Sequence, residues 1–217
     1  MTIFLVIGMK CVAESVDISL TRSNGVQKLS LDKNTTKFEY GQDYENARFG
    51  QVLRIEGLDK LAKLQELSLF GFSSLKDYSF IGKIKSIQIL RLTGCNVVDY
   101  AFISQLKCLR GLIIQSANGV ASAKFSFTSD DVEYIEISNC QLRKIPTFLA
   151  LNRSKCILNL FANSISHLST INQEELERFK LAILISNEIK VENPSAMIIT
   201  TGRVKDYIPV EYRKYMQ

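Results

Sequence analysis

A single histidine, His167, limits the acid–base and metal chemistry that this chain of 217 residues offers. Catalytic triads and most protein zinc sites combine a histidine with a further ligand or an orienting group. The sequence also contains no GxxxxGK[ST] phosphate loop, no GxSxG nucleophile elbow and no CxxC pair. His167 follows a turn of the repeat described below, where we expect a structural role. The sequence therefore predicts a protein that is not an enzyme and that holds no metal or cofactor.

Composition excludes several other classes of protein. The 27 basic and 22 acidic side chains give a net charge of +5, without the runs of like charge that mark a nucleic-acid-binding arm. With 46% hydrophobic residues and three prolines, the chain is typical of neither disordered nor collagen-like proteins. Its first apolar run, residues 3–9, is too short for a transmembrane helix of about 20 residues. We expect one ordered domain that binds no nucleic acid and has no integral membrane span.

An internal repeat organises the middle of the sequence. Six segments fit the pattern LxxLxLxxN/CxL with modest departures and recur at steps of 22–24 residues. An apolar residue occupies the fourth position of every copy: Leu67, Leu90, Leu112, Ile135, Leu158 and Ala182. Alternation of inward and outward residues around this position predicts one short β-strand per copy. At the ninth position, where the chain turns away from the strand, only Asn163 and Asn187 can form an asparagine ladder, and the other copies are expected to turn on packing.

The repeat resembles the leucine-rich repeat family over about residues 52–189, and its steps are most similar to those of the short bacterial and phosphatase-regulator types. The resemblance implies an α/β solenoid: a right-handed horseshoe with a concave parallel β-sheet and short helices or turns on the convex side. Apolar residues spaced by three and four between the strands favour such turns, and the clearest helix is expected over residues 172–180. Family members usually bind other proteins, so the resemblance implies a protein partner of unknown identity.

Repeat register also predicts the state of the five cysteines. Cys95 and Cys140 share one repeat position two coils apart, and strands stacked about 4.8 Å apart separate them by about 10 Å. A disulfide needs Cα atoms closer than about 7 Å. Cys108 and Cys156 are likewise two coils apart. We therefore expect free thiols, most of them buried.

The residues that point out of the concave sheet are unusually apolar. Nine of the eighteen residues at the third, fifth and seventh positions are apolar or aromatic, and exposed apolar patches commonly bind partners. Phe70, Tyr134 and Phe161 are the predicted anchors. Replacing Tyr134 and Phe161 by alanine is expected to abolish binding and to leave the melting temperature nearly unchanged. The full set of predicted partner contacts is Phe70, Ile89, Arg91, Ile113, Tyr134, Glu136, Phe161 and Ile183.

The same apolar face has a second interpretation. The carboxyl-terminal tail or an identical chain covers part of it, above all around Leu181, Ile183 and Ile185. Partner binding, coverage by the tail and self-association all stay open on the sequence alone. The repeats, residues 52–195, also need caps, because a terminal coil otherwise exposes its core. We predict a degenerate amino-terminal cap over residues 14–51, with a loop from Tyr40 to Phe49, and a carboxyl-terminal cap and tail over residues 196–217.

Residues 1–13 form a possible signal peptide. Their apolar run is followed by Cys11-Val12-Ala13, small residues that favour cleavage before Glu14. No basic residue precedes the run, and a buried first strand is the alternative. In the first case we expect a secreted or cell-envelope protein of a bacterium, and in the second a cytoplasmic regulatory subunit that binds and modulates an enzyme. Mass spectrometry distinguishes them, because a first residue of Glu14 supports export and a retained Met1 supports the cytoplasm.

Overall fold

Thirteen strands and two helices are present in the computed structural model, which describes residues 14–42, 50–166, 170–187, 198–200 and 202–216. The strands are β1 (Ser15–Arg22), β2 (Gly25–Asp32), β3 (Lys37–Gly41), β4 (Val52–Glu56), β5 (Glu66–Phe70), β6 (Ile89–Thr93), β7 (Gly111–Gln115), β8 (Lys124–Ser126), β9 (Tyr134–Ser138), β10 (Thr147–Leu149), β11 (Ile157–Asn159), β12 (Leu181–Ile183) and β13 (Ile198–Ile199). The helices are α1 (Thr170–Glu177) and α2 (Val204–Tyr207).

Eight of the strands form one parallel sheet, in the order β3-β5-β6-β7-β9-β11-β12-β13. Its register places equivalent repeat positions side by side, so that the fourth position of each copy pairs with the fourth position of the next. All six of these residues are fully buried: Leu67, Leu90, Leu112, Ile135, Leu158 and Ala182. The predicted strand repeat is confirmed, and the chain has a solenoid-like fold.

The segments that connect the strands close the core on its other side. Two of them contain the 3-10 turns Ser79–Lys83 and Ala101–Gln105, whose Ile81 and Ile103 are fully buried, and shorter 3-10 turns lie in other segments. Two others contribute β8 and β10, which pair in parallel and bury Phe125 against the core. The longer of the two helices in the described residues, α1, begins two residues and ends three residues earlier than the sequence predicted. The connections therefore differ from coil to coil, while the strands stay uniform.

An asparagine ladder joins the last coils, as predicted. The Nδ2 of Asn163 donates hydrogen bonds to the carbonyl oxygens of Ile137 and Leu160 at 2.7 and 3.0 Å, and its Oδ1 accepts one from the Cys140 N–H at 3.0 Å. Cys140 occupies the same repeat position one coil earlier, where its Sγ lies 3.2 Å from the Ser138 carbonyl oxygen. The Cys140 thiol is thus a weak hydrogen-bond donor at the repeat position where Asn163 carries an amide, in addition to the packing that the sequence predicted.

The Asn187→Ala variant tests this ladder. Asn187 donates to the carbonyl oxygens of Leu160 and Leu184 and accepts from the Ile165 N–H, so alanine removes three hydrogen bonds. The Leu160 carbonyl keeps its hydrogen bond from Asn163, whereas the partly buried Leu184 carbonyl and Ile165 N–H lose the one from Asn187. We expect the free energy of unfolding to fall by about 2 kcal/mol, measured by urea denaturation. The exposed Asn118→Ala variant is the control, with a change within about 0.5 kcal/mol. Equal losses in the two variants would contradict the ladder.

The amino-terminal region differs from the prediction in one respect. The sequence predicted a loop from Tyr40, but residues 37–41 form β3, the first strand of the parallel sheet. No leucine pattern marks this strand, because Phe38 and Tyr40 supply its inward positions and stack on each other with ring centroids 6.0 Å apart. The preceding strands β1 and β2 form an antiparallel hairpin that pairs with β4 in a separate sheet. The parallel sheet therefore begins within the range predicted as a cap.

Several predictions concern residues outside the described ranges. The possible signal peptide, Cys11 and His167 are among them and stay predictions. The four cysteines within the described ranges are free thiols, and all except Cys108 are buried, which confirms that expectation for them. Neither α1 nor α2, the helices of the described residues, is long and apolar enough to cross a lipid bilayer.

Candidate interaction surface

The outward face of the sheet is the side opposite the main core, and it carries the third, fifth and seventh repeat positions. Residues 202–216, here named the carboxy-terminal segment, lie across it. Three side chains of this segment, Ile208, Tyr212 and Tyr215, are buried in a second hydrophobic cluster that is separate from the main core. The outward face contributes the other buried members: Ile89, Ile113, Tyr134, Ile157, Ile183 and Ile185. In this structure the tail covers part of the outward face, which agrees with the second interpretation of the sequence.

A glycine in the centre of the sheet makes room for the segment. Gly111 lies between Ile89 and Tyr134 at the third repeat position, where its neighbours on both sides carry large side chains. A Cβ atom at Gly111 would stand 2.5 Å from Cδ1 of Tyr215, closer than atoms can pack. The Tyr215 ring fills this notch and stacks on the Tyr134 ring, with centroids 5.3 Å apart and planes within 6°. The notch and the ring are therefore complementary in shape.

A charged cluster holds the Tyr215 hydroxyl at the edge of the notch. The hydroxyl donates a hydrogen bond of 2.8 Å to Oε2 of Glu133, which also forms an ion pair with Arg110 and lies 3.8 Å from Nζ of Lys214. Burial by itself raises the pKa of Glu133, but the hydrogen bonds from Arg110 and Tyr215 and the charges of Arg110 and Lys214 outweigh it and leave the pKa below its ordinary value. Glu133 is thus held as a carboxylate by Arg110 first and by Tyr215 and Lys214 of the docked segment in addition.

Docking of the segment is therefore expected to weaken in acid. The hydrogen bond from Tyr215 and the charge of Lys214 favour the carboxylate form of Glu133, so they stabilise the docked state above the pKa of Glu133, and that stability is lost as the pH falls through the lowered pKa. Hydrogen exchange of the segment measures this between about pH 6 and about pH 3. Glutamine at position 133 does not titrate, so the segment of the Glu133→Gln variant should be less protected from exchange than that of wild type at about pH 6. This difference should shrink as the pH falls, because Glu133 of wild type then loses its charge. A deficit that is constant with pH would contradict this role of Glu133.

Two further side chains of the sheet bind the segment. Nζ of Lys180 donates a hydrogen bond of 2.9 Å to the Tyr212 hydroxyl and lies 4.7 Å from the centre of that ring. The hydrogen bond with Tyr212 raises the pKa of Lys180, which stays protonated. At the opposite end, Nη2 of Arg91 donates a hydrogen bond of 3.0 Å to the carbonyl oxygen of Lys214. The segment therefore runs across the strands from β12 towards β6, held by polar contacts at both ends.

A buried hydrogen-bond network fixes the Tyr134 ring against which the segment stacks. The Tyr134 hydroxyl donates a hydrogen bond of 2.7 Å to Oε2 of Glu136, a residue that is only 6% exposed. Three more donors surround the Glu136 carboxylate at 2.6–3.1 Å, namely Gln115 Nε2, Ser138 Oγ and Asn159 Nδ2. Four hydrogen bonds offset the cost of burying the carboxylate and fix the position of Tyr134.

An open crevice of about 550 Å³ lies beside this network, between the carboxyl ends of the strands and the segment. Polar residues of the sheet line it on one side: Thr93, Gln115, Glu136, Ser138 and Asn159. Residues 202–205 and Met216 of the segment line its other side. Phe161 lines the crevice and is 36% exposed. The segment thus leaves part of the outward face accessible.

The predicted contact residues fall into three groups in the structure. Phe70 and Phe161 are partly exposed beside the covered region. Arg91 and Glu136 are buried polar side chains. The apolar residues Ile89, Ile113, Tyr134 and Ile183 lie beneath the segment. Tyr134 has no exposed surface, so it is not the exposed anchor that the sequence predicted, because the Tyr215 ring covers it.

Sequence reasoning missed the residues that hold the segment. Nothing in the residue type marks Gly111, Glu133 or Lys180 in the sequence. Each contacts a tyrosine of the segment that is far away along the chain. Two signals were present: a lone glycine within an apolar strand, and Ile208, Tyr212 and Tyr215 spaced by four and three residues. The first indicates a close approach and the second an apolar helical face.

Comparison with known proteins gives similar structures and no similar sequence family. No protein-family model matches the chain, and no curated protein matches its sequence. Two similar solved structures are internalins of Listeria monocytogenes. Internalin C2 has a TM-score of 0.41 and 20% identity, covering 70% of this chain and 67% of that chain. The internalin inlF has a TM-score of 0.35 and 13% identity, covering 80% of this chain and 70% of that chain.

Proposed function

We propose that this protein is a non-enzymatic protein-interaction module that binds its partner on the outward face of the sheet. One observation supports the proposal most: this face already holds a polypeptide, the carboxy-terminal segment. Shape complementarity at Gly111, aromatic stacking on Tyr134 and ionic contacts at Glu133 are the features of protein interfaces. A surface with these properties binds chain segments rather than small molecules.

The accessible part of the outward face is where a partner makes first contact. Phe161 is 36% exposed on the rim of the crevice, and Phe70 is half-buried on the other side of the covered region. Aromatic residues are enriched among the side chains that dominate binding energy. Both residues belong to the predicted contacts and need no movement of the segment to meet a partner.

Affinity capture from the native source, with matched variants, tests this function. Phe161→Ala removes an exposed aromatic side chain from the outward face, and Leu149→Ala removes an exposed apolar side chain, 48% exposed, from β10. We expect a protein captured by wild type to be retained by Leu149→Ala and to bind Phe161→Ala at least about tenfold more weakly. Calorimetry on the purified pair measures the affinities. Equal binding by the two variants would contradict binding at the outward face.

A further inference from the structure

We propose that the partner presents a short segment in which an extended aliphatic residue is followed, four and seven positions later, by two tyrosines of a 3-10 turn, and that this segment replaces the protein's own carboxy-terminal segment. This inference rests on the proposed function and names the chemistry that the outward face recognises. The protein's own segment is then a ligand in cis that competes with the partner.

The spacing of the buried residues of the segment defines which side-chain pattern the outward face recognises. Ile208, Tyr212 and Tyr215 are 1%, 8% and 1% exposed, whereas Val210 between them is 72% exposed. Tyr212 and Tyr215 lie three residues apart on one side of the 3-10 turn Val210–Tyr215, and Ile208 lies in the extended backbone before this turn. Glu211, Arg213 and Lys214 are exposed as well. Three side chains are therefore buried against the sheet, and exposed positions such as Val210 and Glu211 are free to differ in a partner.

The contacts at the two rings select tyrosine over other apolar residues. The Tyr215 hydroxyl donates to Glu133, and the Tyr212 hydroxyl accepts from Lys180. Phenylalanine fills the same volume but leaves both charged groups without these partners. A site built to bind a hydroxyl discriminates strongly against the analogue that lacks it. Because Gly111 has no side chain, the notch has room for an aromatic ring.

The attachment of the segment suits exchange. Within the described residues, the hydrogen bonds between backbone groups that involve residues 202–216 stay inside the segment, such as Asp206 N–H to the Arg203 carbonyl and Tyr212 N–H to the Pro209 carbonyl. The neighbouring strand β13 is instead hydrogen-bonded into the sheet. The segment is held by side chains, so a chemically similar segment can replace it without breaking the sheet.

A labelled peptide with the sequence of residues 203–216 is the probe for this exchange. The full chain with Tyr212→Ala and Tyr215→Ala together has lost the anchors of its own segment, and we expect it to bind the peptide at least about tenfold more tightly than wild type. Adding Gly111→Ala to that chain is expected to weaken binding about tenfold, because the methyl group fills the notch. A peptide with phenylalanine at both tyrosine positions should bind about tenfold more weakly than the probe. Fluorescence anisotropy measures each affinity.

The outcomes separate this inference from the proposed function. Equal binding of the probe by wild type and the released chain, or indifference to the tyrosines, overturns the inference, while a partner sensitive to Phe161→Ala still supports the proposed function. If the released chain does not fold, wild type with excess isotope-labelled probe replaces it, and faster hydrogen exchange of its own segment is expected. No acceleration overturns the inference. Dimers of wild type with exchanged segments, seen by sedimentation, also overturn it, because the occupant is then a second copy.

Discussion

The Tyr134→Ala variant is expected to lose about 3–5 kcal/mol of its free energy of unfolding, measured by chemical denaturation. Three contributions add up in this loss. The ring is fully buried between the sheet and Tyr215, so its removal leaves a cavity. The hydroxyl is one of the four donors to the buried Glu136 carboxylate, which loses that hydrogen bond. The Tyr215 ring loses the surface on which it stacks.

The Tyr134→Phe variant separates these contributions. It keeps the ring and the stack and removes only the hydroxyl, so we expect a loss of about 1–2 kcal/mol. Phe161→Ala, at a side chain that is 36% exposed, should change the stability far less than Tyr134→Ala. This result would replace the expectation from the sequence, which predicted an unchanged melting temperature for both alanine variants. Equal stability of Tyr134→Ala and wild type would show that the ring is not buried.

The Gly111→Ala variant is expected to release the carboxy-terminal segment. The added Cβ would lie 2.5 Å from Cδ1 and 2.6 Å from Cε1 of Tyr215, and a rigid ring cannot relieve such contacts by a small side-chain movement. Overpacking of this kind costs about 1–3 kcal/mol. Because every 1.4 kcal/mol corresponds to a factor of ten, we expect the amides of the segment to exchange about 5- to 150-fold faster. Hydrogen exchange followed by mass spectrometry measures the change.

Gly41→Ala is the matched control for this substitution. Gly41 lies in the same sheet at the end of β3, and a Cβ there meets no atom closer than 3.6 Å. Replacing glycine by alanine without strain stabilises a protein slightly, by about 0.4–1 kcal/mol, through the unfolded state. The control should therefore leave exchange of the segment unchanged. If Gly41→Ala and Gly111→Ala behave alike, the notch does not hold Tyr215.

The parallel sheet was predictable because its determinants are local and repeated. Each copy places Leu, Ile or Ala at the fourth position, and six copies in register specify one strand order. The ladder of Asn163 and Asn187 follows from the same register. The strand β3 was not predictable in this way, because Phe38 and Tyr40 replace the leucines that mark the later strands. Correlation between copies, rather than any single residue, carried the prediction.

The covered face was only half predictable because its contacts join distant parts of the chain. The outward residues followed from strand alternation, and coverage by the tail was one of two interpretations of their apolar character. Arg91 meets Lys214 across 123 positions, and Tyr215 meets Glu133 across 82. No periodicity links such residues, so their pairing required the structure. The notch at Gly111 gains its meaning only once Tyr215 lies above it.

Nuclear Overhauser contacts between the ring protons of Tyr134 and Tyr215 show directly whether the carboxy-terminal segment covers the outward face. With the centroids 5.3 Å apart and the planes within 6°, the stacked rings are expected to give clear contacts in the full chain and upfield-shifted ring signals. Gly111→Ala should remove these contacts and Gly41→Ala should keep them. The absence of contacts in wild type, with Tyr215 signals at the positions of an unfolded chain, would contradict the account.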